Sequence, residues 1–154
     1  MTKSSRKTAV PGLGDFLCFA VYSANLAYGR AYKPLLDELG VTYTQWIAIV
    51  ALWEEDGQTV SSLGEKLFLE SNTLTPILKK LEALGLLARR RDAKDERQVI
   101  VTLTAAGRAR REKGAQRSLV AATGLDAKAF AAARDAMHEV RDNLIRHTHP
   151  TPEA

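Results

Sequence analysis

Only one cysteine, Cys18, occurs in the 154 residues, so no disulfide can form within the chain and a reducing, cytoplasmic setting is expected. Long apolar runs are missing too. None approaches the roughly 20 residues that a membrane-spanning helix needs, so no membrane partner is expected. The short apolar run at residues 16–22 follows Lys3, Arg6 and Lys7 but is bounded by Asp15, Ser23 and Asn25. It lacks the length and the cleavage site of a signal peptide. No segment repeats, and no low-complexity tract interrupts the chain. His138, His147 and His149 have no cysteine or clustered carboxylate to complete a metal site, so neither metal nor cofactor is expected. Nor does any Thr or Arg lie near Cys18 in a pattern that would hold a peroxide for turnover. A thiol peroxidase is therefore the weaker reading of that cysteine.

What is present is a mild excess of positive charge, 22 Lys and Arg against 18 Asp and Glu, net +4. Its distribution says more than its size. Residues 79–97 hold Lys79, Lys80, Arg89, Arg90, Arg91, Lys94 and Arg97 against Glu82, Asp92, Asp95 and Glu96. Residues 108–117 add Arg108, Arg110, Arg111, Lys113 and Arg117 against Glu112 alone. Basic clusters of this kind are what a nucleic-acid surface needs.

Hydrophobic periodicity and capping residues give the organisation. Residues 1–12, with Pro11 and Gly12, read as a flexible tail. Residues 13–43 form an N-terminal helical region, with Leu17, Val21, Ala24, Tyr28, Tyr32, Leu35, Leu36 and Leu39 at helical spacing. Pro34 should kink or interrupt it and Gly40 should end it. Thr44 is the expected cap of a second helix, Ser61 or Ser62 of a third, and Ser71 or Asn72 of a fourth that stops at Gly85. Residues 86–91 and 98–103 alternate as strands around a polar loop. Thr104 caps a long helix to about residue 122, Asp126 caps a last one to about residue 147, and Pro150 and Pro152 end regular structure in a tail at 148–154. The expected order is four helices, two strands and two helices. Residues 44–104 make the DNA-binding lobe and residues 105–147 a C-terminal helical region.

Helix, turn, helix and basic hairpin together are the layout of a winged helix-turn-helix. A recognition helix needs small polar side chains near its start to reach base edges, and basic ones to hold phosphates. Ser71, Asn72, Thr73 and Thr75 suit the first task and Lys79 and Lys80 the second. Pro76 sits early, where a missing amide hydrogen costs little. Arg89 and Arg91 enter the hairpin, and Arg97 at its tip suits the narrow, electronegative minor groove. Asp95, two residues before Arg97, is placed to fix that guanidinium in a two-pronged pair. Helix or hairpin alone has a plainer use as a solvated surface element; it is their succession that favours DNA.

Residues 61–65 (Ser-Ser-Leu-Gly-Glu), 74–82 (Leu-Thr-Pro-Ile-Leu-Lys-Lys-Leu-Glu), 85–87, Arg91-Asp92, Asp95-Glu96-Arg97, Leu103-Thr104 and Gly107 resemble the MarR family of winged-helix repressors. The likeness covers nearly the whole chain. It implies a mainly α fold with a small β-hairpin and a homodimer built from the N- and C-terminal helices. It also implies a pseudo-palindromic double-stranded DNA operator, with the helix at 71–84 in the major groove and the wing arginine in the minor groove. Within the family the N-terminal half resembles the organic hydroperoxide resistance regulators, through Phe16-Leu17-Cys18-Phe19-Ala20-Val21-Tyr22, Tyr32-Lys33-Pro34-Leu35-Leu36, Leu39-Gly40, Tyr43-Thr44-Gln45 and Ala51-Leu52-Trp53-Glu54.

That resemblance implies that Cys18 reacts with an organic hydroperoxide while residues matching Tyr32 and Tyr43 reach it from the partner subunit. From the residues themselves, a cysteine in the opening turns of a helix has its thiolate favoured by the helix dipole, and Tyr22, four residues on, shares its face. The plainer reading of Cys18 is a small buried hydrophobe among Phe16, Leu17, Phe19 and Val21. Members with a second, resolving cysteine form an intersubunit disulfide. This chain lacks one, so oxidised Cys18 must end as a sulfenic acid, a sulfenamide, an overoxidised acid or a mixed disulfide with a small cellular thiol, and the last is the expected release signal. A repressor relieved by a reversibly bound phenolic ligand, held by Phe19, Tyr28, Trp46 and Trp53, is the alternative.

Overall fold

Leu35, Leu36 and Leu39 lead the chain into its core, and the rest of the fold is built around them. The computed structural model describes residues 10–149; the proposed ends of the two tails, Pro150 and Pro152 included, lie outside them. After a 3-10 turn at Leu13–Asp15 come α1 (Leu17–Leu39), α2 (Tyr43–Glu54), β1 (Gln58–Thr59), α3 (Val60–Leu67), α4 (Ser71–Ala83), β2 (Leu87–Arg91), β3 (Val99–Leu103) and α5 (Ala105–Ala115). A second 3-10 turn at Ala121–Thr123 precedes α6 (Ala127–Thr148). The chain divides into two compact units after Gln116. No single helix among the described residues is long and apolar enough to cross a membrane.

In the first unit the core joins α1's last turns to Trp46, Ile49 and Leu52 of α2, Leu63 of α3, Leu74, Leu78 and Leu81 of α4, and Leu87, Val101 and Leu103 of the sheet. Pro34 was expected to kink or interrupt α1; it does not interrupt the helix, which runs through it to an αL cap at Gly40, φ 66°. A proline inside a helix costs about 3 kcal/mol. The three buried leucines that follow contribute about 1.5–3 kcal/mol each, which outweighs it. In the second unit α6 starts as expected, with Asp126 Oδ1 accepting from the Ala129 amide at 2.8 Å. It carries no buried residue, and Met137, Leu144 and Ile145 are exposed along it.

Several caps sit elsewhere than expected. Thr42, not Thr44, caps α2: its hydroxyl accepts from the Gln45 amide at 3.3 Å while Gln45 Oε1 accepts from the Thr42 amide at 2.9 Å. The reciprocal pair satisfies two amides at once and starts the helix two residues earlier. Thr59, not Ser61 or Ser62, caps α3 by accepting from the Ser62 amide at 3.0 Å. The cause is β1, a strand absent from the expected order. Gln58 and Thr59 pair with Val101 and Ile100 of β3, giving the sheet order β1-β3-β2. Buried Gln58 also fastens to the end of α2, its Nε2 donating to the Ala51 and Glu55 carbonyls at 3.2 and 2.6 Å. Thr104 caps α5 as expected, but that helix ends at Ala115, short of residue 122.

Candidate nucleic-acid interface and thiol site

The candidate recognition surface is the outer face of α4. Leu74, Leu78 and Leu81 are buried, which turns Asn72, Thr73, Pro76, Lys79 and Lys80 to solvent. Ser71 is the first helical residue. The cap position belongs to Glu70, whose side chain makes no capping bond, so neither Ser71 nor Asn72 is the cap. Thr75 folds back, its hydroxyl donating to the Ser71 carbonyl at 2.7 Å. Pro76 is therefore not in the first turn: it is the sixth helical residue and deprives the Asn72 carbonyl of its helical donor.

The wing is the β2–β3 hairpin, in register from Leu87 against Leu103 to Arg91 against Val99. Its three site arginines have different surroundings. Arg89 turns inward: Nη2 and Nε donate to Glu82 Oε2 of α4 at 2.6 and 3.1 Å, and its amide to Oε1 at 3.1 Å. This pair holds the Glu82 carboxyl below the usual range and ties the wing to the recognition helix. Arg91 Nη1 donates to the Glu96 carbonyl at 2.9 Å and braces the loop. Arg97 is the projecting one, its side chain 90% exposed. Asp95 holds it as its position suggested, with Nε to Oδ1 at 3.0 Å and Nη2 to Oδ2 at 3.2 Å. Arg97's side-chain hydrogen bond, then its amide, keep Asp95 below the ordinary carboxylate range. A depressed value means the pair persists through that range and opens only as pH falls through the lowered value beneath it.

Arg97 and the start of α4 meet across a cavity of about 280 Å³, lined by Ser61, Ser71, Thr75, Arg97 and Gln98 among others. Sequence reasoning missed Ser61 and Gln98 here, because pairing of β1 with β3 is what brings them in. Four of the five basic residues of the second cluster, by contrast, are engaged across the fold. Arg108 pairs with Asp56, Arg110 donates to the Leu39 carbonyl, Lys113 pairs with Glu38 at 3.3 Å, and Arg111 stacks on Trp46 at 5.5 Å.

Cys18 is the second residue of α1 and is exposed, so within one chain it is not the buried hydrophobe of the plainer reading. Tyr22, on the same helix face, is exposed beside Phe19, ring centroids 6.3 Å apart. Tyr32 and Tyr43 come together, centroids 5.3 Å apart and tilted by 55°. Burial first, then Tyr43 and Tyr28, push the Tyr32 hydroxyl above its ordinary value, so at neutral pH it keeps its proton and can donate. Fourteen residues of continuous helix put Cys18 about 21 Å from Tyr32 along the axis. One chain therefore does not bring the thiol to these tyrosines.

Helix-turn-helix, braced hairpin and projecting wing arginine define a winged-helix DNA-binding module. The family described as transcriptional regulator SarA/Rot matches residues 30–113, and this chain belongs to that family of MarR-like winged-helix regulators. The HTH-type transcriptional regulator TtmR of Methylorubrum extorquens is 53% identical over 96 residues, 62% of this chain and 49% of that protein. The organic hydroperoxide resistance transcriptional regulator of Bacillus subtilis is 46% identical over 101 residues, 66% of this chain and 69% of that protein. The chain thus spans about half the length of the first relative and about two thirds of the second. Reduced AbfR bound to DNA superimposes with a TM-score of 0.74 at 34% identity, over 89% of this chain and 96% of that one; AbfR is from Staphylococcus epidermidis.

Proposed function

We propose that this chain is a homodimeric repressor that binds a pseudo-palindromic operator when reduced and releases it when an organic hydroperoxide oxidises Cys18. The observation that carries the redox half is the sole thiol standing exposed at the start of α1, in a chain 46% identical to a hydroperoxide resistance regulator. Two copies are needed, because Tyr32, with Tyr43 of α2 beside it, lies too far along α1 to serve its own Cys18. Exposed Phe16 at the cap of α1, Leu17 and Val21 on it, and Met137, Leu144 and Ile145 on α6, offer the apolar surface for the second copy.

On DNA, Asn72 and Thr73 face the bases of the major groove, Lys79 and Lys80 hold phosphates, and Arg97 enters the minor groove in the pose that Asp95 sets. Replacing Lys80 with Gln is expected to weaken binding evenly across operator variants and to lower the slope of log K against log salt by about one. A loss confined to particular operator bases would instead assign Lys80 to sequence readout.

The oxidation balances simply. The Cys18 thiolate attacks the terminal peroxide oxygen, an S–O bond forms as the O–O bond breaks, and two electrons pass from sulfur to the peroxide. The leaving alkoxide takes a proton, for which the Tyr32 hydroxyl is a fitting source. The sulfenic acid then condenses with a small thiol, giving a mixed disulfide and water. Overoxidised AbfR has been crystallised bound to DNA, which supports a bulky adduct over added oxygen as the release signal. Loss of about 3 kcal/mol from the DNA-bound state lowers affinity more than a hundredfold. A Cys18→Ser protein is expected to bind the operator and to keep it through treatment with hydroperoxide and thiol, as read by fluorescence anisotropy. Release from that variant would refute the redox mechanism.

A further inference from the structure

The second cavity of the first unit has about 560 Å³ and lies along α1 where Tyr43 of α2 meets it. That volume is typical of a small-molecule site. Leu26, Tyr28, Tyr32 and Tyr43 give it apolar and aromatic walls. Two cations stand at it, Lys33 and Arg30, and they are not equivalent. Lys33 Nζ is bound to both oxygens of Asp37, at 3.0 and 2.8 Å, so its charge is already matched. Arg30 is exposed on the neighbouring turn and makes no hydrogen bond or ion pair among the described residues. A greasy groove with one unmatched guanidinium suits a ligand that is hydrocarbon along most of its length and an anion at one end. A planar guanidinium meets a carboxylate with two parallel hydrogen bonds, which a lone ammonium cannot do.

We propose that Arg30 selects the peroxide: it holds the carboxylate of an anionic organic hydroperoxide, with the hydrocarbon laid over Tyr28, Tyr32 and Tyr43. This rests on the redox reading above, in which Cys18 of the partner subunit meets those tyrosines. The chemistry at sulfur is unchanged; Arg30 touches only the far end of the substrate. Its effect is to raise the occupancy of acid-bearing peroxides over neutral ones of equal length.

The test compares the full-length protein with Arg30→Gln, an exposed helical change that leaves the core untouched. Three probes are used below their micelle concentrations: the hydroperoxide of an unsaturated fatty acid, the methyl ester of that hydroperoxide, and cumene hydroperoxide. Loss of the Cys18 thiol is followed by mass spectrometry. The wild type is expected to react about fivefold faster with the acid than with the ester, the order that a partly screened arginine–carboxylate pair supports. In Arg30→Gln the two rates should converge, while cumene hydroperoxide reacts equally with both proteins. An acid-to-ester ratio that survives the substitution, or equal rates in the wild type, would overturn the assignment while leaving the redox reading intact. Failure of cumene hydroperoxide to oxidise Cys18 at all would remove the redox reading and this proposal with it.

Discussion

Arg97→Ala is expected to lower operator affinity by about ten- to a hundredfold, the range of one good groove contact, about 1–3 kcal/mol. The reason is geometric. Of the wing arginines placed at the interface, Arg89 is committed to Glu82 and Arg91 to the Glu96 carbonyl. Arg97 alone among these three combines a fixed pose with a side chain 90% exposed. The same exposure means that thermal stability should not change, which separates a binding defect from a folding one. Asp95→Asn should show a smaller loss, since the guanidinium remains but its two-pronged partner is weakened. Arg97→Lys should fall between wild type and alanine, because charge is kept and the fork is lost. Affinity within about twofold of wild type for the alanine variant would mean that the wing does not read DNA in this protein.

Gly107→Ala is expected to destabilise the first unit by about 2–4 kcal/mol, in the range of severe overpacking. A Cβ there would lie 2.0 Å from the Leu86 carbonyl oxygen and 3.0 Å from Leu103 Cδ2. The obstacle is backbone, and it is pinned: the Leu86 carbonyl accepts from the Thr104 amide at 3.2 Å, and the Thr104 hydroxyl donates to the Gly85 carbonyl at 2.6 Å. The start of α5 must therefore pull away from the base of the wing. Gly114→Ala should cost less, since its Cβ would meet the Trp46 ring, 2.2 Å from the nearest atom, and a side chain can turn. Urea denaturation monitored by Trp46 and Trp53 fluorescence reads both. A Gly107→Ala protein as stable as wild type would show that α5 does not press on the hairpin base.

Gly107 also marks what was legible in the sequence and what was not. It stands out in the family pattern, and Thr104 three residues before it reads plainly as a cap. That its glycine is required by close approach of a strand end, and not by backbone angle, needs the three-dimensional packing. The hairpin, the recognition helix and the Asp95–Arg97 pair were legible because each depends on neighbours within a few residues. β1 was not: two residues are too few to show alternation, and Gln58–Thr59 is a strand only because Val101 and Ile100 lie opposite. The move of the third helix's cap to Thr59 follows from that pairing. Charge was misleading for a related reason. Residues 108–117 look like a nucleic-acid surface by composition, yet Arg108, Arg110, Arg111 and Lys113 reach partners at residues 56, 39, 46 and 38. Local sequence shows which residues carry charge; contacts across the fold decide which charges remain for DNA. The thiol site has the same limit. Spacing put Tyr22 on the face of Cys18 and only the family resemblance pointed to Tyr32 and Tyr43, while Arg30, unpaired among the described residues, is distinguished from Lys33 at the groove only by Asp37's position on the next turn.

In the proposed mechanism the state of one sulfur sets the occupancy of DNA. The measurement that tests it most directly follows both quantities in one sample: operator bound, by anisotropy, and Cys18 mixed disulfide, by intact-protein mass, during titration of reduced dimer with an organic hydroperoxide and a small thiol. Release is expected to rise in step with the mixed disulfide and to reverse when a reductant restores the thiol. Operator that leaves while Cys18 is still a thiol, or that stays bound once the mixed disulfide is complete, would contradict it.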